Sequence, residues 1–208
     1  INFSHGGADD HRRRAHEVRA AAKKLGREVG LLADLRGPKI RINQFVGGRI
    51  ELEPGQHFTL DCHYDAAPGD RTRVGVAYLN LRNDVKRGDT LLLDDGLISM
   101  KVDDIVGLEI RCTVIHGGTL SDRKGLNRLG GGLSVPALTD RDRADVELAA
   151  ELGLDFLAVS FARSAEDMHE TRALLRKSGS GAALVAKIER AEAISVLGEI
   201  IDASDAVM

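Results

Sequence analysis

The feature that most constrains this chain is an interruption. Apolar patterns of helical and strand period alternate near both ends, while from about Ile42 to Pro136 the helical period gives way to short alternating runs. Ahead of the break, Ile1–Ser4 reads as the tail of a strand and SHGG as a turn. Ala8–Leu25 then places Ala15, Val18, Ala22 and Leu25 at helical spacing and stops at Gly26, a residue suited to the left-handed helix end. Val29–Leu35, VGLLADL, is a continuous apolar run of the kind buried on both faces of a parallel sheet.

Inside the interruption, strand-like runs occur at Arg49–Leu52, His57–Leu60, Arg73–Val76, Thr90–Leu93, Leu97–Val102 and Glu109–Val114, separated by GG, PG, GD and DG turns. Such spacing predicts a small all-β barrel or sandwich inserted into an α/β domain. Beyond it, Thr139 and Asp142 form a capping-box pattern before Val146, Ala149, Ala150 and Leu152. A strand follows at Asp155–Ser160, a helix from Ser164 to near Gly179, a strand at ALVAKI and a helix over about Ala191–Ile201. The expected class is therefore α/β with a parallel sheet and crossover helices, divided as 1–41 with 137–208 and an inserted 42–136.

Composition excludes some functions. The net charge of −3 and the mixing of signs give no basic stripe for nucleic acid, and Arg12–Arg14 lies among Asp9, Asp10 and Glu17 as a solvated helix face. No apolar run approaches the ~20 residues of a membrane span, and there is no signal-peptide pattern. Cys62 and Cys112 stand in no metal-ligand or redox spacing, and alternation puts Cys112 on one face with Ile110 and Val114 as a packed thiol. These features fit a reducing cytoplasm. The seven histidines show no metal-ligand spacing and read mainly as surface residues.

Chemistry gathers at four strand ends: NFSHGG with Asn2 and Ser4 on one face, ADLRGPKIR with Asp34, SFAR at Ser160–Arg163, and ALVAKIERA. In the last, Lys187 and Glu189 are two positions apart and point the same way from an extended segment. Each has an ordinary structural explanation: a salt bridge for Lys187 and Glu189, backbone caps for Asn2 and Ser4, a turn for Gly37-Pro38, a helix acid for Arg163. Carboxylates, a lysine, arginines and neutral oxygens at one mouth would suit phosphoryl transfer with a divalent cation.

NFSHGG, LLADLRGPKIR, LLLDDGLISMKV, KGLNRLGGGLSVPALTDRD, DFLAVSFARS and VAKIERAEAI together resemble the pyruvate kinases, in their order and over nearly the whole chain; LGGGLS resembles the bacterial branch. The resemblance implies a partial (β/α)8 TIM barrel with an inserted all-β barrel lid, and the last step of glycolysis: phosphoryl transfer from phosphoenolpyruvate to ADP, giving pyruvate and ATP. It also implies a cytoplasmic homotetramer using magnesium or manganese. By the same resemblance Glu189 matches a magnesium ligand and Lys187 the lysine that neutralises the phosphoryl group in flight. Asn2, Ser4, Asp34 and the Leu35 carbonyl match a monovalent-cation site, and Arg41 and His5 match nucleotide and phosphate contacts. Ser160 and Arg163 match the substrate-side strand end, and Asp95, beside Asp94 in the DDG turn, matches a lid residue that closes over metal and nucleotide. Gly130–Gly132 resembles the lid's return hinge.

Many pyruvate kinases carry glutamate where this chain has Lys39, and they need potassium. Lysine there, with Leu35 nearby, resembles the potassium-independent group, since a tethered ammonium can supply the ion's charge. The chain begins without a methionine and ends inside the apolar AVM, so it reads as a fragment. The family's first strand, an arginine before Ile1, a second metal-ligand aspartate after Met208, a proton-side threonine and a C-terminal domain are expected outside it. Alone, such a half-barrel is expected to be inactive and aggregation-prone through unpaired strand edges. The alternatives are another magnesium-dependent aldolase or lyase of the phosphoenolpyruvate and pyruvate barrels, and a non-catalytic paralogue that binds phosphometabolites.

Overall fold

The structure is a computed structural model, describing residues 1–63 and 67–208. Along the chain, α1 (Ala8–Leu25) and β1 (Leu32–Asp34) precede β2 (Arg49–Leu52), β3 (His57–Asp61), β4 (Arg73–Gly75) and the one-turn helix α2 (Leu81–Asp84). Next come β5 (Thr90–Leu93), β6 (Ile98–Val106), β7 (Glu109–His116), β8 (Gly118–Ser121) and β9 (Leu126–Arg128). The chain continues with α3 (Asp140–Glu151), β10 (Phe156–Val159), α4 (Ala165–Lys177), β11 (Ala183–Ala186), a 3-10 segment at Ala191–Val196, α5 (Leu197–Asp202) and β12 (Ala206–Val207). It forms two compact units, Ile1–Pro38 with Pro136–Met208, and Lys39–Val135.

The first unit is built on a four-stranded parallel sheet of order β1-β10-β11-β12. Ala33, Leu35, Leu157, Val159, Leu184 and Ala186 belong to its apolar core. Alternation along each strand therefore sends the intervening Asp34, Ser160 and Lys187 to the opposite face. The register pairs Asp34 with Ala158 and Val159 with Ala186, so those polar residues emerge at one edge, the C-terminal edge of the parallel strands. Sequence order and spatial order agree because each crossover returns the chain to the neighbouring position, as right-handed βαβ connections do.

The helix ends follow from local chemistry. α1 closes on Gly26 at φ 61° and ψ 34°, a conformation that needs no Cβ. Arg27 N then donates to Ala22 O at 3.0 Å, completing the terminal turn. α3 opens with the expected box, Asp142 N donating to Thr139 Oγ1 and Thr139 N to Asp142 Oδ2. On α1 only His11 and Ala15 are buried, whereas Val18 and Leu25, expected on the apolar stripe, are exposed. His11 is also the exception among the histidines: it stacks on Phe3 with ring centroids 4.3 Å apart. Arg12, exposed as expected, also forks Glu151 at the end of α3 through two hydrogen bonds of 2.9 Å.

The second unit has a six-stranded sheet of order β4-β3-β7-β6-β5-β9 and a two-stranded one, β2-β8, around a single apolar core. Pairing is antiparallel except between β3 and β4. Cys62 and Cys112 both belong to this core. Burial pushes the Cys62 thiol up to about 11 and the Cys112 thiol up to about 12, which keeps both protonated and inert.

Several elements differ from their sequence expectation. The strand expected at Ile1–Ser4 is a single bridge, Asn2 with Asp34, and the run Val29–Leu35 forms a strand only over Leu32–Asp34. Lys187 lies just beyond β11, which ends at Ala186. The helix expected over Ala191–Ile201 begins as 3-10 turns before α5, where β-branched Ile194 and Val196 and then Gly198 weaken a regular α-helix. Two strands, β8 and β9, were illegible: GTLS starts at the second of two glycines, and LNR is too short for a period-two signal.

Candidate active site

Three strand ends meet at Lys187. Its Nζ lies 3.1 Å from Asp34 Oδ1 after β1, 3.0 Å from Ser160 Oγ after β10, and 3.3 Å from Glu189 Oε1 in the segment after β11. These three contacts match the three donors of an ammonium. Ser160 Oγ donates its proton to Leu35 O at 2.7 Å, leaving lone pairs for Lys187. Glu189 Oε2 accepts from Phe161 N at 3.1 Å.

Burial alone would lower the Lys187 pKa. The hydrogen bond and charge of Asp34, joined by the charge of Glu189, outweigh it and raise the pKa above that of an ordinary lysine. Lys187 is therefore a fixed cation, unsuited to proton transfer near neutrality. The side chains of Lys187, Asp34 and Glu189 remain 17%, 30% and 35% exposed, so the cluster faces an opening instead of being sealed in a core. One ammonium against two carboxylates leaves one net negative charge.

The backbone beneath the cluster is strained. Phe161 adopts φ 58°, a left-handed conformation that is uncommon in a bulky residue and that costs ~1–3 kcal/mol. This geometry turns the Phe161 N–H towards Glu189. Gly37, at φ 64°, packs so closely that a Cβ there would lie 2.7 Å from the Phe161 ring and 3.1 Å from Ser160 Cβ.

A matching family model places the chain. The model described as "Pyruvate kinase, barrel domain" matches residues 1–208. The chain belongs to the pyruvate kinase family. It is 49% identical over its whole length to pyruvate kinase II of Salmonella typhimurium and 48% identical to the pyruvate kinase of Haemophilus influenzae, covering 44% of each. Over the whole chain it is 40% identical to the pyruvate kinase of Mycobacterium tuberculosis, again covering 44% of that protein. The chain thus spans under half the length of these curated pyruvate kinases.

The remaining residues singled out by resemblance to that family distribute as follows. Asn2 joins the cluster's strand edge through its bridge to Asp34, and its Oδ1 accepts from Ser4 N at 2.7 Å, the backbone-capping arrangement. Ser4 O is held by Arg36 Nη2 at 2.9 Å, while His5 is exposed and offers its carbonyl to Arg14. Arg163 pairs with Asp167 on α4, at 3.3 Å through its guanidinium and 2.9 Å through its backbone N–H.

Lys39, Arg41 and Asp95 belong to the second unit. Arg41 Nη1 donates to Arg123 O at 2.8 Å, and Lys39 is exposed beside Gly125. Asp94 and Asp95 adopt φ 50° and 54° in the turn between β5 and β6, and Asp94 pairs with Lys124 at 2.8 Å. Sequence reasoning missed Phe161, Arg36 and the contact of Asp142 with Gly37. Their roles run through backbone atoms, and residue type gives no signal of that.

Among the described residues, no group of three or more His, Cys, Asp or Glu side chains could hold a metal ion. Magnesium, however, commonly takes one or two protein carboxylates and completes its shell with water and substrate oxygens. The half-open Glu189, with Asp34 nearby and net negative charge, fits that demand. Among the described residues no helix is long and apolar enough to cross a membrane.

Proposed function

We propose that this chain carries the phosphoryl-transfer centre of a pyruvate kinase, moving the phosphoryl group of phosphoenolpyruvate to ADP and yielding pyruvate and ATP. In this reading the first unit is part of a (β/α)8 barrel and the second is its inserted lid. The observation that carries the reading is the Lys187 ammonium, held in one place by Asp34, Ser160 and Glu189 from three different strand ends. Phosphoryl transfer asks little covalent chemistry of a protein and much positioned positive charge. A lysine with a raised pKa and three fixed partners supplies such charge without reorganising as the reaction proceeds.

The residues then divide the work. Lys187 faces the transferring oxygens and offsets their charge. Ser160 orients Lys187, and the Phe161 N–H orients Glu189. Glu189 would hold magnesium or manganese, which when bound supplies further positive charge to the phosphoryl and to the enolate that leaves. A bound phosphate adds an anion to a cluster already carrying net negative charge, so its entry favours a divalent cation. Asn2, Ser4, Asp34 and the Leu35 carbonyl supply hard oxygens of the kind a monovalent cation takes, and Lys39 is assigned, on family membership alone, as the charge that makes the ion dispensable. His5, Arg41, Arg163 and Asp95 enter as substrate and nucleotide contacts on the strength of family membership.

The test is a luciferase assay of ATP formed by the full-length protein from phosphoenolpyruvate, ADP and magnesium. ATP appearing in step with pyruvate is the expected result. Pyruvate released together with inorganic phosphate and no ATP would mean transfer to water instead of ADP, and tight phosphoenolpyruvate binding without turnover would point to a sensor.

A further inference from the structure

Asp142 is fully buried at the first turn of α3, yet its partners are neutral. Oδ2 accepts from Thr139 N and Thr139 Oγ1, which is what a capping box requires. Oδ1 does something a cap does not need: it accepts from Gly37 N at 3.0 Å, across 105 positions of sequence. An acid at the third helical position caps equally well when exposed. Burying one is unfavourable unless its oxygens are all used, so the second bond calls for its own explanation.

Gly37 leads straight to the cluster. Two residues earlier, Leu35 O accepts from Ser160 Oγ, which in turn accepts from Lys187 Nζ. Gly37 itself rests on Ser160 and on the ring of Phe161, whose strained backbone aims its N–H at Glu189. A strained residue keeps its conformation only where its surroundings fix it. Asp142 thus holds Gly37 against the Ser160–Phe161 pair, whose hydroxyl meets Lys187 and whose Phe161 N–H meets Glu189. The same carboxylate secures Thr139, so the last turn of the first unit before the chain departs and its first helix cap after the chain returns share one anchor.

We infer that Asp142 is a positioning residue for the Lys187 and Glu189 pair, acting through Gly37 and the Ser160–Phe161 peptide; its bearing on turnover rests on the phosphoryl-transfer reading above. Asp142→Asn keeps the shape but leaves an acceptor at only one end, so the side chain cannot serve Thr139 and Gly37 together.

The test compares Asp142→Asn, Gly37→Ala and Thr139→Ala in the full-length protein. Amide hydrogen exchange at Phe161 is read beside steady-state kinetics. Asp142→Asn is expected to lower kcat on the order of 10²-fold, as misplacement of reacting groups does. KM for phosphoenolpyruvate should move less than about threefold, because binding of the ground state survives a misplacement that the transition state does not tolerate. Phe161 should lose exchange protection. Gly37→Ala, which displaces the ring directly and leaves Asp142 intact, should do the same. Thr139→Ala removes only the capping hydroxyl and should lower stability while leaving kcat and Phe161 protection near the parent values.

Equal kinetic loss in Thr139→Ala and Asp142→Asn would reduce Asp142 to a cap and overturn the inference. Should Asp142→Asn fail to fold, Gly37→Ala decides: parent-like kcat and parent-like protection of Phe161 overturn it. An inactive parent protein would instead remove the phosphoryl-transfer reading, and the exchange data alone would then judge whether Asp142 fixes Phe161.

Discussion

Lys187 Nζ and Asp34 Oδ1 lie 3.1 Å apart although 153 positions separate them in sequence. The two residues end adjacent-but-one strands of a parallel sheet, and Ser160, at the end of the strand between them, touches both. The strand-end salt bridge and the proposed catalytic cation are therefore the same group. What favours catalysis is that Lys187 and its partners stay partly open to solvent while a strained backbone holds them in place.

Replacing Lys187 by alanine removes the fixed cation and leaves Asp34 and Glu189 facing one another. ATP formation by the full-length protein should fall on the order of 10³-fold or more, with the fold retained because the cluster is partly solvated. Circular dichroism of the variant beside its turnover checks both halves. Near-normal turnover would remove Lys187 from the mechanism.

Glu189→Gln keeps an acceptor for the Phe161 N–H but takes away one negative charge. Manganese affinity, read by electron paramagnetic resonance, should drop at least about tenfold, as substitutions at and around metal ligands do. Unchanged affinity would show that the metal is held elsewhere.

On the proposed assignment of Lys39 as the substitute for potassium, activity should persist in potassium-free buffer and rise less than about twofold on adding the ion. Lys39→Glu should create a potassium requirement, since a fixed anion then replaces the fixed cation. Strong activation of the parent protein by potassium would contradict this assignment.

Burial holds the pKa of His11 below the ordinary imidazole value; the nearby Arg14 pushes the same way, and Asp145 and Asp10 partly oppose it. The folded state then binds the proton less readily than the unfolded chain. Stability is full above the unfolded pKa of ~6.5 and declines as pH falls below it. Urea midpoints measured at pH 7.5 and pH 5.5 should show this decline, and His11→Phe should diminish it. An equal decline in both proteins would place its origin in other groups.

Local order was largely legible in the residues themselves. The limits of α1, β2 and β5 coincide with the patterns that predicted them, because an apolar period and a stop signal such as Gly26 act over neighbouring residues. The Thr139 and Asp142 box was legible for the same reason. The motif residues Asp34, Ser160, Lys187 and Glu189 were also singled out correctly as strand-end groups, since alternation fixes which side chains share a face.

Tertiary structure decided the rest. Four residues expected at strand ends around one mouth become one hydrogen-bonded cluster because the register aligns β1, β10 and β11 at a common edge, and register depends on packing across the sheet. The second oxygen of Asp142 and the left-handed turn at Phe161 left no trace in residue type, for both act through backbone atoms of a distant segment. Sequence by itself determined most of the elements, the polar residues at the strand ends and the family. Only the folded chain decided which oxygens surround Lys187, because hydrogen-bond partners are chosen by position in space, whereas local patterns reach no further than a few residues along the chain.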